Sequence, residues 1–377
     1  MKTLKFTLLF LMTCLNCAAL FGQKDSIFDQ GEYRNYIVHL PKSYKPSIRY
    51  PLVLNLHGLN SNAAQQQAYS QFDKIADTAN FIVVYPNAIG GSWSFTGDKD
   101  VNFLSHLVDS LKKDYSINNS LFATGMSMGG FMAYRLACAI PLKAIGVVSG
   151  NMSTNLQNNC PLPTGLPLIH FHGTTDPLVN YNGTIGIPPV ETTIKWWVDR
   201  NKCTKTPIIT PIPNSNANDG STAEQYVYAN GANKSEVIFY KITNGGHTWP
   251  GAPTNLPFGN TNQDLNASQL IWAFFKRNSS SSVATAVADP KKVERIKVFP
   301  NPTQEQINVR FSERGLDVAA ELFLYNSYGQ MVFKQGIENP NAPISIQVSA
   351  FPKGVYLLCV KTEQHQLYHQ KIVVGLK

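Results

Sequence analysis

The sequence predicts an α/β domain, built as a mostly parallel sheet with helices on both faces, followed by a small all-β domain. Three observations carry this. Strand-like apolar runs alternate with helix-like segments from Tyr36 to Phe275, the pattern of a mostly parallel sheet with helices on both faces. The alternation stops at Asn278-Ser279-Ser280-Ser281-Ser282-Val283-Ala284-Thr285-Ala286, whose composition is that of a flexible linker. Beyond Val293 come short alternating strands without helices, such as Gln306-Ile307-Asn308-Val309-Arg310-Phe311 and Gly354-Val355-Tyr356-Leu357-Leu358-Cys359-Val360. Gly, Pro and Asn turns separate them, which predicts an immunoglobulin-like sandwich.

In chain order, Met1-Lys2-Thr3-Leu4-Lys5 and the apolar run after it, ending in small residues near Cys17-Ala18-Ala19, predict a Sec signal peptide over residues 1–22. No later apolar run approaches the roughly 20 residues of a membrane-spanning helix, so no transmembrane segment is expected. The expected division is then 23–277 for the α/β domain, 278–292 for the linker and 293–377 for the sandwich. A net charge of +8 without a basic stripe excludes nucleic acid as a partner.

Leu52-Val53-Leu54-Asn55-Leu56 reads as an early strand running into the loop His57-Gly58-Leu59-Asn60. Leu121-Phe122-Ala123-Thr124 is another apolar run, and it leads through Gly125-Met126-Ser127-Met128-Gly129 into the amphipathic segment from Phe131. A serine between glycines on such a strand-to-helix turn is a nucleophile elbow, with the hydroxyl held above the sheet edge. Its hydroxyl needs a histidine to take the proton and a carboxylate to hold that histidine. Three aspartates lie between Ser127 and the last histidine of the first domain: Asp176, Asp199 and Asp219. Asp176 alone stands just past a buried-strand pattern, Leu168-Ile169-His170-Phe171-His172, in the kind of loop where such sheets place their sites. Of the later histidines, His365 and His369 fall beyond the linker, which leaves His247 in Asn244-Gly245-Gly246-His247-Thr248-Trp249-Pro250-Gly251. The predicted catalytic set is Ser127, Asp176 and His247. The backbone N–H groups of Leu59 and Met128 are the expected oxyanion donors, and His57 is expected to brace its loop.

Trp93 and Trp249 are candidates for an aromatic substrate platform. His170 and His172 share a strand face but lack a carboxylate cluster at ligand spacing, so neither metal nor cofactor is expected. Export permits disulfides. Cys160 and Cys203 sit in loop contexts on either side of the Asp176 segment and are expected to pair, while Cys138 and Cys359 read as buried thiols.

These residues resemble the polyhydroxybutyrate depolymerases and the feruloyl and acetylxylan esterases, the carbohydrate-esterase-family-1-like branch of α/β-hydrolases. The matching pieces run from about Arg34 to Arg277: His57-Gly58, Tyr85-Pro86, Val101-Asn102-Phe103-Leu104, Ala123 through Gly130, His172-Gly173-Thr174-Thr175-Asp176 and Gly246 through Gly251. The resemblance implies an α/β-hydrolase fold and an exported serine esterase with the roles assigned above. Its substrates would be feruloyl or acetyl esters of plant polysaccharide, with poly(3-hydroxybutyrate) or an aromatic polyester as alternatives. A binding protein that kept the scaffold and lost the chemistry is the rival from another class. Val101-Asn102 departs from the Asp-Val of many members and leaves open whether a carboxylate acts there. The C-terminal segment resembles the type A sorting domain of the type IX secretion system, through Val298-Phe299-Pro300-Asn301-Pro302, Leu324-Tyr325-Asn326, Gly354-Val355-Tyr356 and Lys371-Ile372-Val373-Val374. That implies Sec and type IX machinery as partners, and an extracellular or outer-surface location.

Overall fold

The structure, a computed structural model, describes residues 23–161, 164–279, 296–311, 320–326, 330–337, 344–362 and 367–375. The expected signal peptide and nearly all of the expected linker lie outside these residues. The chain divides into two compact units, Met1–Val283 and Ala284–Lys377.

The first unit runs β1 (Gln23–Asp29), β2 (Glu32–His39), β3 (Tyr50–Leu56), α1 (Ala63–Ser70), α2 (Phe72–Ala79), β4 (Ile82–Pro86), α3 (Lys99–Asp114), β5 (Ile117–Met126) and α4 (Met128–Ala137). It continues with β6 (Ala144–Val148), α5 (Thr154–Asn159), β7 (Leu168–Gly173), α6 (Val190–Arg200), β8 (Ile208–Pro211), β9 (Thr222–Tyr228), β10 (Val237–Thr243) and α7 (Ala267–Arg277). Its sheet has the order β1-β2-β4-β3-β5-β6-β7-β10-β9-β8. The strands from β4 to β10 pair in parallel, and antiparallel strands close both edges.

Both faces of the parallel strands are covered, which is why their sequences are apolar throughout rather than alternating. Along β3, Leu52, Leu54 and Leu56 pack into one core with α3, α4 and α6. Val53 points the other way, into a second core with α2 and α7. The helices supply matching stripes: Phe103, Leu104, Leu107 and Leu111 of α3 face the first core, and Ile271, Phe274 and Phe275 of α7 face the second.

Strand order reverses at the β3/β5 pair, since β4 lies on one side of β3 and the chain then continues on the other. In an open α/β sheet this switch point opens a crevice at the carboxyl ends of the strands. The loops after β3 and β5 leave the sheet there.

The second unit has two sheets, of order β11 (Ile296–Phe299)-β12 (Gln306–Phe311)-β15 (Ile344–Gln347) and β14 (Met331–Ile337)-β13 (Ala320–Tyr325)-β16 (Gly354–Thr362)-β17 (Leu367–Val374). Alternate residues from both sheets, including Ile307, Val309 and Ile346 from one and Leu322, Leu324, Leu358 and Ile372 from the other, form one core. That is a β-sandwich.

Candidate active site

Ser127 sits between β5 and α4 with φ 54° and ψ −124°, a conformation that costs a non-glycine residue about 1–3 kcal/mol. The surrounding backbone holds it there. Its N–H donates to Val148 O at 2.9 Å, and its carbonyl accepts from Gly130 N at 2.8 Å and Phe131 N at 3.1 Å. The flanking glycines are required by close approach rather than by their own torsions: a Cβ on Gly125 would lie 2.5 Å from Gly129 C, and one on Gly129 would lie 2.1 Å from Leu56 O.

The loop after β3 passes directly over the serine, because a Cβ on Gly58 would lie 3.3 Å from Ser127 Cβ. Beyond it, the N–H of Leu59 has no hydrogen-bond partner among the described residues, and neither does that of Met128, the first residue of α4. Free N–H groups on the two loops that flank Ser127 are what an oxyanion site requires.

His57 braces this loop. Its Nδ1–H donates to Gly58 O at 2.7 Å, and Nε2 accepts from Ala88 N at 3.0 Å, which assigns the neutral tautomer. Burial lowers its pKa, consistent with a neutral ring.

Asp176 follows β7 and His247 follows β10, and these adjacent parallel strands deliver them to one place. Asp176 Oδ2 accepts from His247 Nδ1 at 2.8 Å, while Oδ1 accepts from the N–H groups of Leu178 at 2.9 Å and Val179 at 2.8 Å. Both side chains are buried. Their loops are stitched together by Thr175 N and Oγ1 to Gly245 O at 3.0 and 2.9 Å, and a Cβ on Gly173 would lie 2.2 Å from that same carbonyl. The end of β6 connects the pair to the serine: Val148 O holds Ser127 N, and the next residue donates from Ser149 Oγ to Thr248 O at 3.2 Å. Asp199 lies instead on α6 beside Lys205 at 3.4 Å, and Asp219 caps a turn through Ser221 N at 2.8 Å.

Both tryptophans are anchors rather than a platform, which corrects the expectation. Trp93 is 2% exposed, donates from Nε1 to His57 O at 2.9 Å and packs on the His57 ring. Trp249 is 1% exposed and donates from Nε1 to Ser268 Oγ at 3.0 Å. Each needed its indole N–H satisfied once buried, and the backbone and Ser268 supply the acceptors.

The disulfide is also corrected. Cys160 pairs with Cys138, with Cα atoms 5.2 Å apart, and Cys203 is a buried free thiol. The C-terminal end of α4 and that of α5 meet at this bridge, whereas Cys203 lies against the turn at Gly231, where a Cβ would come within 2.7 Å of its sulfur. Burial pushes the Cys203 thiol up, and the Cys359 thiol likewise.

Sequence reasoning missed two groups. Asp100, one residue before the Val101-Asn102 departure, accepts from Ser94 N at 2.6 Å and pairs with Arg34 at 2.7 Å, with the guanidinium stacked on Phe103. It holds the Trp93 loop. The Asp100-Val101 dipeptide was a legible signal. The second group is a buried row, Tyr134 OH to His170 Nδ1 at 2.8 Å, His170 Nε2 to His172 Nδ1 at 3.2 Å, and His172 Nε2 to Val179 O at 2.8 Å. Only the spacing of the two histidines showed in the sequence. No group of side chains suited to a metal occurs among the described residues, and no described helix is long and apolar enough to cross a membrane.

Residues 30–200 match the family described as "Putative esterase", and residues 297–375 match the secretion system C-terminal sorting domain. A bifunctional acetylxylan esterase/xylanase of Neocallimastix patriciarum is 32% identical over 161 residues, 42% of this chain and 24% of that protein. The chain thus spans about a quarter of that relative's length. Feruloyl esterase C of Emericella nidulans is 28% identical over 253 residues, covering 64% of this chain and 83% of that protein. Among solved structures, an acetyl xylan esterase from Aspergillus awamori aligns with TM-score 0.47 at 17% identity, over 60% of this chain and 94% of that one. Residues 30–200 therefore resemble the esterase family, and the secretion system C-terminal sorting domain at residues 297–375 marks a secreted or cell-surface protein.

Proposed function

We propose that residues 23–277 are a serine esterase that hydrolyses feruloyl or acetyl esters of plant polysaccharide through an acyl-enzyme on Ser127. The observation that carries this reading is the buried 2.8 Å contact between Asp176 and His247, made across 71 residues of sequence at the sheet end where Ser127 stands. His247 takes the Ser127 proton as the hydroxyl oxygen attacks the ester carbonyl, and returns it to the departing alcohol. Asp176 holds the Nδ1–H so that Nε2 is the basic nitrogen, and stabilises the imidazolium that forms. The N–H groups of Leu59 and Met128 receive the oxyanion, each worth about 2.7–4 kcal/mol of barrier. Water, activated by the same histidine, then releases the acid.

The relatives' names, a feruloyl esterase and an acetylxylan esterase, support the polysaccharide-ester class. A polyester, poly(3-hydroxybutyrate) or an aromatic one, is the second reading. Exposed Leu59, Leu178 and Phe258, on the loops that carry the site, favour it. Residues 1–22 act in this reading as the Sec signal and 278–292 as the linker to a domain recognised by the type IX machinery.

Release of p-nitrophenol from acetyl and butyryl esters, compared with the Ser127→Ala variant, tests the chemistry. A fall of about a millionfold in kcat is expected. Methyl ferulate, acetylated xylan and poly(3-hydroxybutyrate) film then separate the substrate classes. Folded protein without Ser127-dependent turnover on any ester would leave a binding protein on a hydrolase scaffold.

A further inference from the structure

The row Tyr134, His170 and His172 is buried throughout and ends at the loop that carries Asp176. Its polarity follows from its last member. A carbonyl only accepts, so His172 Nε2 must carry the proton that bonds Val179 O. His172 Nδ1 is then an acceptor and takes the Nε2–H of His170, whose own Nδ1 accepts the Tyr134 hydroxyl.

Each imidazole spends one donor and one acceptor within the row and Tyr134 spends its donor, so the three form a chain of neutral hydrogen bonds in a dry environment. Burial pushes both imidazoles down, His170 far below its ordinary value, and holds the Tyr134 phenol well above its own. Bonds arranged head to tail in low dielectric polarise one another in the same sense. Here that sense directs positive character toward the acid loop.

The loop is where this matters. Val179, whose carbonyl takes the His172 proton, donates its own N–H to Asp176 Oδ1 at 2.8 Å. His172 Nε2 also stands 3.5 Å from Asp176 Oδ2, the oxygen that holds His247. Tyr134 comes from α4, the helix that Ser127 begins, so the row ties the nucleophile's helix to the acid's loop through β7.

We propose that His172, polarised and held by His170 and Tyr134, is a positioning residue for the Asp176–His247 pair. Without the row, the 176–179 turn loses its outer anchor, and the Val179 N–H that orients the carboxylate is held less firmly. This rests on the triad reading, with Asp176 as the acid.

The test uses the full chain and three variants. His172→Leu removes both bonds, His172→Gln keeps an amide N–H that can reach Val179 O, and Tyr134→Phe cuts the far end of the row. On p-nitrophenyl acetate, His172→Leu is expected to lower kcat about ten- to a hundredfold, as a small misplacement of a catalytic group does, with KM within about twofold. His172→Gln should recover part of that loss. Tyr134→Phe should fall in the same direction by a smaller factor, and should also move the most downfield proton resonance, that of the His247 Nδ1–H. If His172→Leu does not fold, Tyr134→Phe decides. Wild-type kcat together with an unmoved resonance in that variant would overturn the proposal. A rise in KM at constant kcat in the His172 variants would overturn it too. Because the resonance reads the Asp176–His247 bond without turnover, an inactive wild-type chain would bring down the triad reading while the spectrum still judges the row.

Discussion

Glycines at the candidate site differ from those on the strands of the sandwich. In the first unit, Gly125, Gly129 and Gly173 stand where an added Cβ would lie within 2.5 Å of backbone atoms from another element or from the far side of the turn, whereas Gly336 and Gly354 in the sandwich have nothing within 4 Å. The crowded three all lie where the serine and acid loops meet the rest of the site. The geometry of the candidate site is made by backbone brought closer than side chains allow, while the sandwich is held by alternating side chains on regular strands. The turn at Ser127 is also strained, with φ 54° and ψ −124° at a non-glycine residue.

That contrast can be broken or sharpened by substitution, from the largest effect downward. Asp176→Asn tests the site without touching its fold. The amide oxygen can still accept from Leu178 and Val179, but the amide N–H₂ then faces His247 and favours the wrong tautomer. A fall of about ten-thousandfold in kcat with an unchanged melting curve is expected. Gly129→Ala tests the close approach: with Leu56 O at 2.1 Å from the new carbon, a loss of roughly 4 kcal/mol or more is expected, read as a collapse of the denaturant midpoint. A variant that melts like the wild type would remove the distinction between the two kinds of glycine.

Next comes the crosslink. Cys138→Ala should cost about 3 kcal/mol through the loss of a bridge that closes a span of 22 residues, and its melting temperature should no longer respond to reductant. Cys203→Ala should keep that response. If instead Cys203→Ala abolishes it, the bridge is misassigned.

A smaller effect is expected from pH. His57, His170 and His172 all have pKa values lowered from 6.5 by burial. Below about 6.5 the unfolded chain binds protons that the folded chain refuses, so stability should fall as pH drops through that value toward the folded pKa values. Carboxylates contribute only lower, since Asp29 and Asp77 are lowered from 3.8. Chemical denaturation at pH 7.5 and 5.5 measures this, and equal stabilities would mean that the rings are not held neutral. The smallest effect belongs to the sandwich, where Gly336→Ala in β14 should change stability by less than about 1 kcal/mol.

The residues differ in how they could be read. Ser127 was legible because its signal spans five consecutive residues, with glycines spaced around a serine where a strand turns into a helix and no room is left for neighbouring Cβ atoms. Asp176 and His247 were legible through chain order and the parallel-sheet rule, since loops leaving the same ends of adjacent strands converge. Trp93 and Trp249 were not, because a tryptophan near a site looks the same in sequence whether its indole faces solvent or is spent on His57 O and Ser268 Oγ.

By itself, then, the sequence determined the parallel sheet, the sandwich and the turn at Ser127, and it singled out Asp176 and His247, which the structure joins by a hydrogen bond; periodicity, glycine spacing and chain order carry all of these. The tertiary structure alone decided that Cys138 rather than Cys203 meets Cys160, that Asp100 grips Arg34, and that Tyr134, His170 and His172 line up behind Asp176. Cys138–Cys160, Arg34–Asp100 and Tyr134–His170 join residues 22, 66 and 36 positions apart. Which distant residues meet depends on strand order and helix packing, and no local pattern of residue types encodes it.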